Sequence, residues 1–317
     1  MRLAVLGAGA VGQSVAELAG EYGHAVTALA DSSSAAVDPA GVDVAAALER
    51  KREDGRVGSG APADALDAEY DALVEATPTT LGDAQPGFGH VRAALERDRH
   101  VVLANKGPVA ERYDEVRALE RESAGTVRFE ATVAGAIPVL STIEDYGADT
   151  IVAARGVLNG TANFVLSRMA AEGLDYEHVL REAQDMGVAE TDPAFDVEGT
   201  DAALKCVILA NVLAQGDRTF TLADADVEGI TDVPVSALEL ARADGRTVRL
   251  VGEVSGDTVR VGPRLVPTGS DIVVSGTTNV VQLETDHAGR LSLSGRGAGG
   301  PETATAVLSD VGRLPDR

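Results

Sequence analysis

The chain opens MRLAVLGAGAVG (residues 1–12), and this stretch decides the fold of the first half of the molecule. A short apolar strand runs into Gly7-Ala8-Gly9-Ala10-Val11-Gly12, the spacing GxGxxG. Gly7 permits a tight turn, and Gly9 lets a pyrophosphate approach the backbone. A helix follows from about Val11 to Tyr22, and its N-terminus attracts phosphate charge. Gly12 allows that helix to pack closely on the strand. Alone the spacing is a weak signal. Here a second strand, Ala25 to Ala30, comes next in the right order and ends at Asp31, where the adenine ribose of a dinucleotide would lie. The pattern predicts an α/β chain with a Rossmann-type doubly wound parallel sheet. It places Gly7, Gly9, Ala10, Val11, Gly12, Asp31 and Ser32 at bound NAD or NADP. A carboxylate at Asp31 favours NAD. The hydroxyls of Ser32, Ser33 and Ser34 and the cations Arg50, Lys51 and Arg52 suit a 2′-phosphate, so the choice stays open.

The sheet continues downstream. Gly55 to Asp67 is rich in Gly, Ala, Pro and Asp and reads as a mobile loop. Asp71 to Ala76 is a strand ending at Thr77, on the side of the sheet where a nicotinamide sits. A helix over 89–97 precedes strand 101–103, after which Lys106 emerges at the same sheet edge. A helix over 113–124 and a strand over 127–130 complete the sheet. Small residues come after it, Ala131 to Pro138, where backbone can approach a ligand or ion.

The second half changes character. An acidic loop carrying Glu190, Asp192, Asp196 and Glu198 leads through Gly199 into a helix, Thr200 to Leu213. Within that helix only Asp201 and Lys205 are charged. They lie four apart on one face, acid towards the N-terminus. A surface ion pair would have that spacing too. However, Ala202, Ala203, Leu204, Cys206, Val207, Ile208 and Leu209 leave no polar face, so the helix reads as buried. A buried amine loses solvation and is suited to proton transfer. Helices at 160–169 and 176–186 and strands at 151–158, 246–254, 258–267, 279–284 and 291–293 give an α+β unit with one sheet face covered. The other face is a natural homodimer surface. A second glycine-rich turn, through Gly299, opens a final helix and is expected to return to the cofactor. The expected domains are 1–133 rejoined by 296–317, and 134–295.

Composition narrows the function. Of 317 residues 44% are hydrophobic, enough for two cored domains. The net charge of -23, from 50 acidic and 27 basic residues, argues against nucleic acid and anionic membranes as partners. The acidic, Arg-over-Lys balance is halophile-like. Only Lys51, Lys106 and Lys205 are lysines, so each is conspicuous, because arginine serves on a surface but does not readily release a proton. The single cysteine, Cys206, fits a buried role in a reducing cytoplasm. The N-terminus reads as a strand rather than a signal peptide, and no apolar run reaches membrane-spanning length.

At this point the residues resemble those of homoserine dehydrogenases, in the short form without a regulatory ligand-binding domain. The likeness rests on GAGAVG, ADSSS, ANKGP, EATVAGAIP, GVLNGTANFVL, AQDMGVAETDPAFDVEGTDAALK and GRGAGGPETATAVLSD, and runs nearly the whole length. The resemblance implies reduction of L-aspartate 4-semialdehyde to L-homoserine with NADPH or NADH. It implies that Lys205 and Lys106 are catalytic or proton-relay lysines, and that Glu190, Asp196 and Asp201 line the substrate pocket. It also places Glu130, with backbone oxygens near Val133 and Gly135, at a monovalent cation, Na+ or K+. The chain departs from the family at Val188, where a tyrosine is common. Chemistry fits the same residues: an ammonium stabilises charge built on an aldehyde oxygen and returns a proton. Glu190 suits the substrate ammonium, and the amides of Gly160 and Thr161 its carboxylate. Against this stand a related dehydrogenase for another amino-acid-like substrate, a non-catalytic NAD(P)H sensor and a structural partner of another enzyme. The last two leave Lys106 and Lys205 unexplained.

Overall fold

Leu3, Ala4, Val5 and Leu6 are apolar on both faces of their strand and all are buried, the signature of a parallel strand covered on both sides. The computed structural model describes residues 1–315 and divides the chain into two units. The first is Met1–Ala136 together with the segment from Ala298, and the second is Ile137–Gly297.

In the first unit the strands are β1 (Arg2–Leu6), β2 (Ala25–Ala30), β3 (Ala35–Val37), β4 (Ala72–Glu75), β5 (His100–Leu103) and β6 (Val127–Arg128). They form one sheet in the order β3-β2-β1-β4-β5-β6. All neighbours are parallel except the short antiparallel edge β3. The order reverses direction between β1 and β4, the place where such sheets bind ligands at their carboxyl ends. The helices are α1 (Ala10–Leu18), α2 (Val44–Asp54), α3 (Pro62–Asp67), α4 (Gly87–Leu95), α5 (Gly107–Glu111), α6 (Tyr113–Arg121) and α7 (Ala131–Ala134), with a C-terminal helix Gly300–Gly312. Val307, Leu308 and Val311 of that last helix share a core cluster with Val15 of α1 and Val5 of β1.

Two sequence expectations fail in this unit. Gly55 to Asp67 is not a mobile loop. Val57 is fully buried, Gly60 bridges to Ala35, and Pro62 starts α3 while the Asp64 carboxylate accepts the Ala61 N–H. Pro at the first helical position and an acid in the first turn are helix-starting signals that the loop-like composition masks. Nor does the last strand reach Glu130. It ends at Arg128, and Glu130 instead precedes the single turn α7.

The second unit contains α8 (Val139–Tyr146), β7 (Ile151–Val157), α9 (Gly160–Glu172), α10 (Tyr176–Asp185), α11 (Ala194–Val197), α12 (Thr200–Ala214), β8 (Asp226–Val227), α13 (Val235–Ala243), β9 (Arg246–Ser255), β10 (Thr258–Pro267), β11 (Thr278–Thr285) and β12 (Gly289–Arg296). Its sheet runs β12-β11-β7-β9-β10-β8 and is antiparallel apart from the β8–β10 edge. α9, α12 and α13 pack on one face. Gly252 is required there, since a Cβ would stand 2.4 Å from Cys206 Sγ of α12. Ile272 lies with Val157, Val251 and Val280, so the connection after β10 covers part of the opposite face. Elsewhere on that face Arg155 donates to Gln282, which donates to Ser292. Among the described residues no helix is long and apolar enough to cross a membrane.

Candidate active site

The nucleotide-binding features gather at the carboxyl edge of the first sheet. The three fingerprint glycines divide their work in a way the geometry makes explicit. Gly7 has φ +101°, and a Cβ there would stand 2.3 Å from the Ala76 carbonyl oxygen. A Cβ on Gly12 would meet the Gly7 oxygen at 1.7 Å. Those two glycines are demanded by packing. A Cβ on Gly9 would meet nothing within 4 Å, so the backbone at the head of α1 faces open space, as a pyrophosphate requires. Gly300 closes on the same helix, its added Cβ falling 2.7 Å from Ser14 Oγ and 2.8 Å from the Ala10 oxygen. The turn through Gly299, φ +125°, therefore does return to α1.

Asp31 is more heavily engaged than its place in the sequence reveals. Its Oδ1 accepts the backbone N–H groups of Ser33 and Ser34 and both their hydroxyls, while Oδ2 takes Lys51 Nζ at 2.9 Å. Burial alone would raise the carboxyl's pKa. The Lys51 ammonium and the serine donors outweigh it and hold Asp31 well below the usual carboxylate range. Lys51 reaches Asp31 from α2, twenty residues along.

Thr77 follows β4, and its hydroxyl and N–H both donate to Glu75. Glu75 is fully buried and also pairs with His90 Nδ1 at 2.6 Å. Asn105 ties the neighbouring loop to this one: its Nδ2 donates to Glu75 at 3.3 Å and to Thr77 Oγ1 at 3.2 Å. Its Oδ1 accepts the Gly107 N–H at 2.9 Å. Lys106, half-buried at the head of α5, has its backbone N–H on Thr79 Oγ1 at 3.3 Å. The Glu75–His90–Asn105 support escaped the sequence reading, because its members are distant in sequence and only folding brings them together.

At the far edge of the same unit, Glu130 is buried, and its N–H donates to Asp310 Oδ2 at 2.7 Å. Burial pushes the Asp310 carboxyl up to about 7, and the Glu130 carboxylate adds to the rise. Gly135, at φ +57°, terminates α7 just beyond Val133. Among the described residues no cluster of three His, Cys, Asp or Glu side chains stands ready for a metal.

In the second unit the charged pair of α12 is buried as its surroundings demand. Asp201 is 7% exposed and Lys205 5%. Lys205 Nζ donates to Asp201 Oδ2 at 2.6 Å and to the Leu158 carbonyl at 2.7 Å. The Leu158 carbonyl also accepts Asn279 Nδ2 at 2.8 Å. Asn159 Nδ2 donates to Asp201 Oδ2 at 2.9 Å and to Asp196 Oδ1 at 2.7 Å. Lys205, Asp201 and Asp196 thus form one hydrogen-bonded cluster, in which the sequence reading missed Asn159 and Asn279. Glu190 stands outside it. It is exposed, on a loop held by Gln184 through the Glu190 and Thr191 carbonyls. Thr161 Oγ1 donates to the Val188 carbonyl at 3.2 Å, which links the head of α9 to that loop. Gly160 must be glycine, since a Cβ would meet the Thr277 oxygen at 2.7 Å. Cys206 is buried beside this cluster with its thiol pushed up to about 12 by burial, as suits a packing residue.

Chemically, the second unit offers an amine fixed by an acid and a carbonyl, able to hold or deliver a proton. The first offers a glycine turn open to a phosphate. The family model described as homoserine dehydrogenase matches residues 138–311, and that of the glutamate/leucine/phenylalanine/valine dehydrogenases matches residues 1–78. The chain is 38% identical to a homoserine dehydrogenase of Methanocaldococcus jannaschii, over 98% of this chain and 97% of that one. It superposes on a putative homoserine dehydrogenase structure from Archaeoglobus fulgidus with TM-score 0.90 and 40% identity, covering 98% of each chain. A hyperthermophilic archaeal homoserine dehydrogenase in complex with NADPH matches with TM-score 0.84 and 27% identity, over 98% of this chain and 96% of that one.

Proposed function

Because the chain belongs to the homoserine dehydrogenase family, we propose that Lys205 is the proton donor with which it reduces L-aspartate 4-semialdehyde to L-homoserine using NAD(P)H. The observation that carries this is the burial of the Lys205 amine on an otherwise apolar helix, with two of its three N–H groups on Asp201 and Leu158. The third N–H is left for the substrate oxygen. It stabilises charge developing there and then supplies the proton. Asp201 balances the ammonium charge and fixes its direction. Replacing a buried pair by apolar residues is often neutral or better for stability, which favours a role in chemistry over one in folding. Lys106 serves as the second catalytic lysine, relaying the proton. Glu190 binds the substrate ammonium from its exposed loop, Asp196 frames the pocket, and the amides of Gly160 and Thr161 at the head of α9 take the substrate carboxylate.

When bound, the reduced nicotinamide supplies the hydride. Gly7, Gly9, Ala10, Val11, Gly12, Thr77 and Gly299 hold the cofactor, and the open space over Gly9 fits its pyrophosphate. We propose that NADP is accepted and preferred. Both Asp31 oxygens already accept hydrogen bonds, Oδ1 from Ser33 and Ser34 and Oδ2 from Lys51, and Lys51 brings a cation to the end of β2. Ser32 adds a hydroxyl there. The Glu130 carboxylate at the head of α7 and the backbone oxygens of Val133 and Gly135 at its end present hard oxygen donors, and this set suits Na+ or K+. Such an ion would steady the α7 turn. A cytoplasmic homodimer completes the reading, with the uncovered part of the second sheet as its interface. The test is homoserine oxidation in concentrated KCl, with NAD and NADP side by side. Homoserine should exceed malate, aspartate and glutamate by orders of magnitude. Equal rates across that panel, or none, would defeat the proposal.

A further inference from the structure

We propose that Asn159 is a positioning residue for the reaction: a single side-chain amide that holds Asp196 and Asp201 in register and through Asp201 aims the Lys205 amine. This deepens the function proposed above and rests on it. Asn159 is 4% exposed and lies just beyond the end of β7. Its Oδ1 accepts the Ala162 N–H at 2.8 Å, capping α9. Its Nδ2 donates one hydrogen to Asp196 Oδ1 at 2.7 Å and the other to Asp201 Oδ2 at 2.9 Å. Three of its four hydrogen-bonding directions are used, and they fix which way round the amide lies: only oxygen accepts from an N–H, and only nitrogen donates to two carboxylates.

The cap alone does not explain an amide here. Serine and aspartate cap helices as well as asparagine does. Neither can donate two hydrogen bonds from one atom while accepting a third. What distinguishes this position is the pair of carboxylates on the far side of the amide. Two like charges facing one residue repel unless donors stand between them. The preceding residue strengthens the argument, because the Leu158 carbonyl accepts Lys205 Nζ at 2.7 Å. The segment Leu158–Asn159 therefore contacts the lysine through its backbone and the lysine's acid through its side chain. Asp201 Oδ2 lies between Asn159 Nδ2 and Lys205 Nζ and accepts from both. A shift of the amide moves Asp201, and Asp201 moves the amine.

Two substitutions separate this role from capping. Asn159→Ser keeps a cap oxygen and loses the bridge, whereas Asn159→Ala loses both. Homoserine oxidation by the full chain is measured with parent and both variants, together with thermal midpoints and the KM for each substrate. Both variants are expected to lose kcat by about 10- to 100-fold, the range for a lost hydrogen bond to a charged group. The homoserine KM should rise and the cofactor KM should stay at the parental value, while the thermal midpoint falls further in Asn159→Ala. Parental kcat and homoserine KM in Asn159→Ser would overturn the proposal, as would activity that tracks the thermal midpoint across the two variants. A parent chain silent on homoserine would instead defeat the underlying function, and the positioning role with it.

Discussion

Removing one member of the Asp201–Lys205 pair should damage the protein more than removing both. Asp201→Leu leaves the Lys205 ammonium 5% exposed, with the Leu158 carbonyl as its remaining partner in the cluster. Breaking a buried pair in this way costs about 3–5 kcal/mol. In a unit spanning 137–297, that lowers the thermal midpoint by on the order of 10 °C. Lys205→Met leaves the Asp201 carboxylate buried with Asn159 as donor, and a loss of similar size is expected. The double variant Asp201→Leu/Lys205→Met removes both charges from among Ala202, Leu204, Cys206, Val207 and Ile208, all buried. Its stability should return to within about 1 kcal/mol of the parent or exceed it, while its turnover is lost. Thermal and urea unfolding of the four proteins gives the coupling energy directly. Strict additivity, with the double variant losing the sum of the single losses, would refute the reasoning that the pair is held for chemistry and not for folding.

Charges in the first unit lead to two more expected outcomes. The folded-state pKa of Asp310 is raised to about 7, against roughly 3.9 in an unfolded chain. The native state therefore keeps a proton that the unfolded chain releases, so stability is fully present below about pH 4 and is lost as pH rises to about 7, by up to about 4 kcal/mol. Asp310→Asn keeps the acceptor for the Glu130 N–H without the charge. It should raise the melting temperature at pH 8 and leave it nearly unchanged at pH 4; an equal change at both would be the wrong result. Lys51→Ala removes the cation beside Asp31 and should lower kcat/KM for NADP about tenfold more than for NAD. Equal losses with the two cofactors would show that Lys51 does not meet the phosphate.

What the sequence disclosed, it disclosed through periodicity and through scarcity. The fingerprint glycines, the strands leading to Asp31, Thr77 and Lys106, and the buried acid–lysine pair were legible because each sits in a short window whose spacing has a physical meaning. Lys205 stood out further because the chain has so few lysines. Residues that act by tertiary contact were not legible. Asn159 looks like an ordinary helix cap, and its two carboxylates lie 37 and 42 residues away. Glu75 reads as the end of a strand, and only folding brings His90 and Asn105 to it. Lys51 was noted as one of three cations suited to a 2′-phosphate, and only the packing of α2 brings it onto Asp31. Short helices escaped for a related reason. In α3 a Pro-Ala-Asp composition imitates a loop, and burial of Val57 and Ala65 decides the matter. Glu190 was expected at the substrate and stands exposed on its loop, apart from the cluster around Lys205.

The most direct measurement compares Lys205→Met with the parent in two assays on the same samples, homoserine-dependent reduction of NADP and NADPH binding by fluorescence titration. The account predicts turnover reduced by about 10²- to 10⁴-fold with NADPH affinity unchanged. Parental turnover in the variant, or an NADPH affinity that falls in step with the rate, would contradict it.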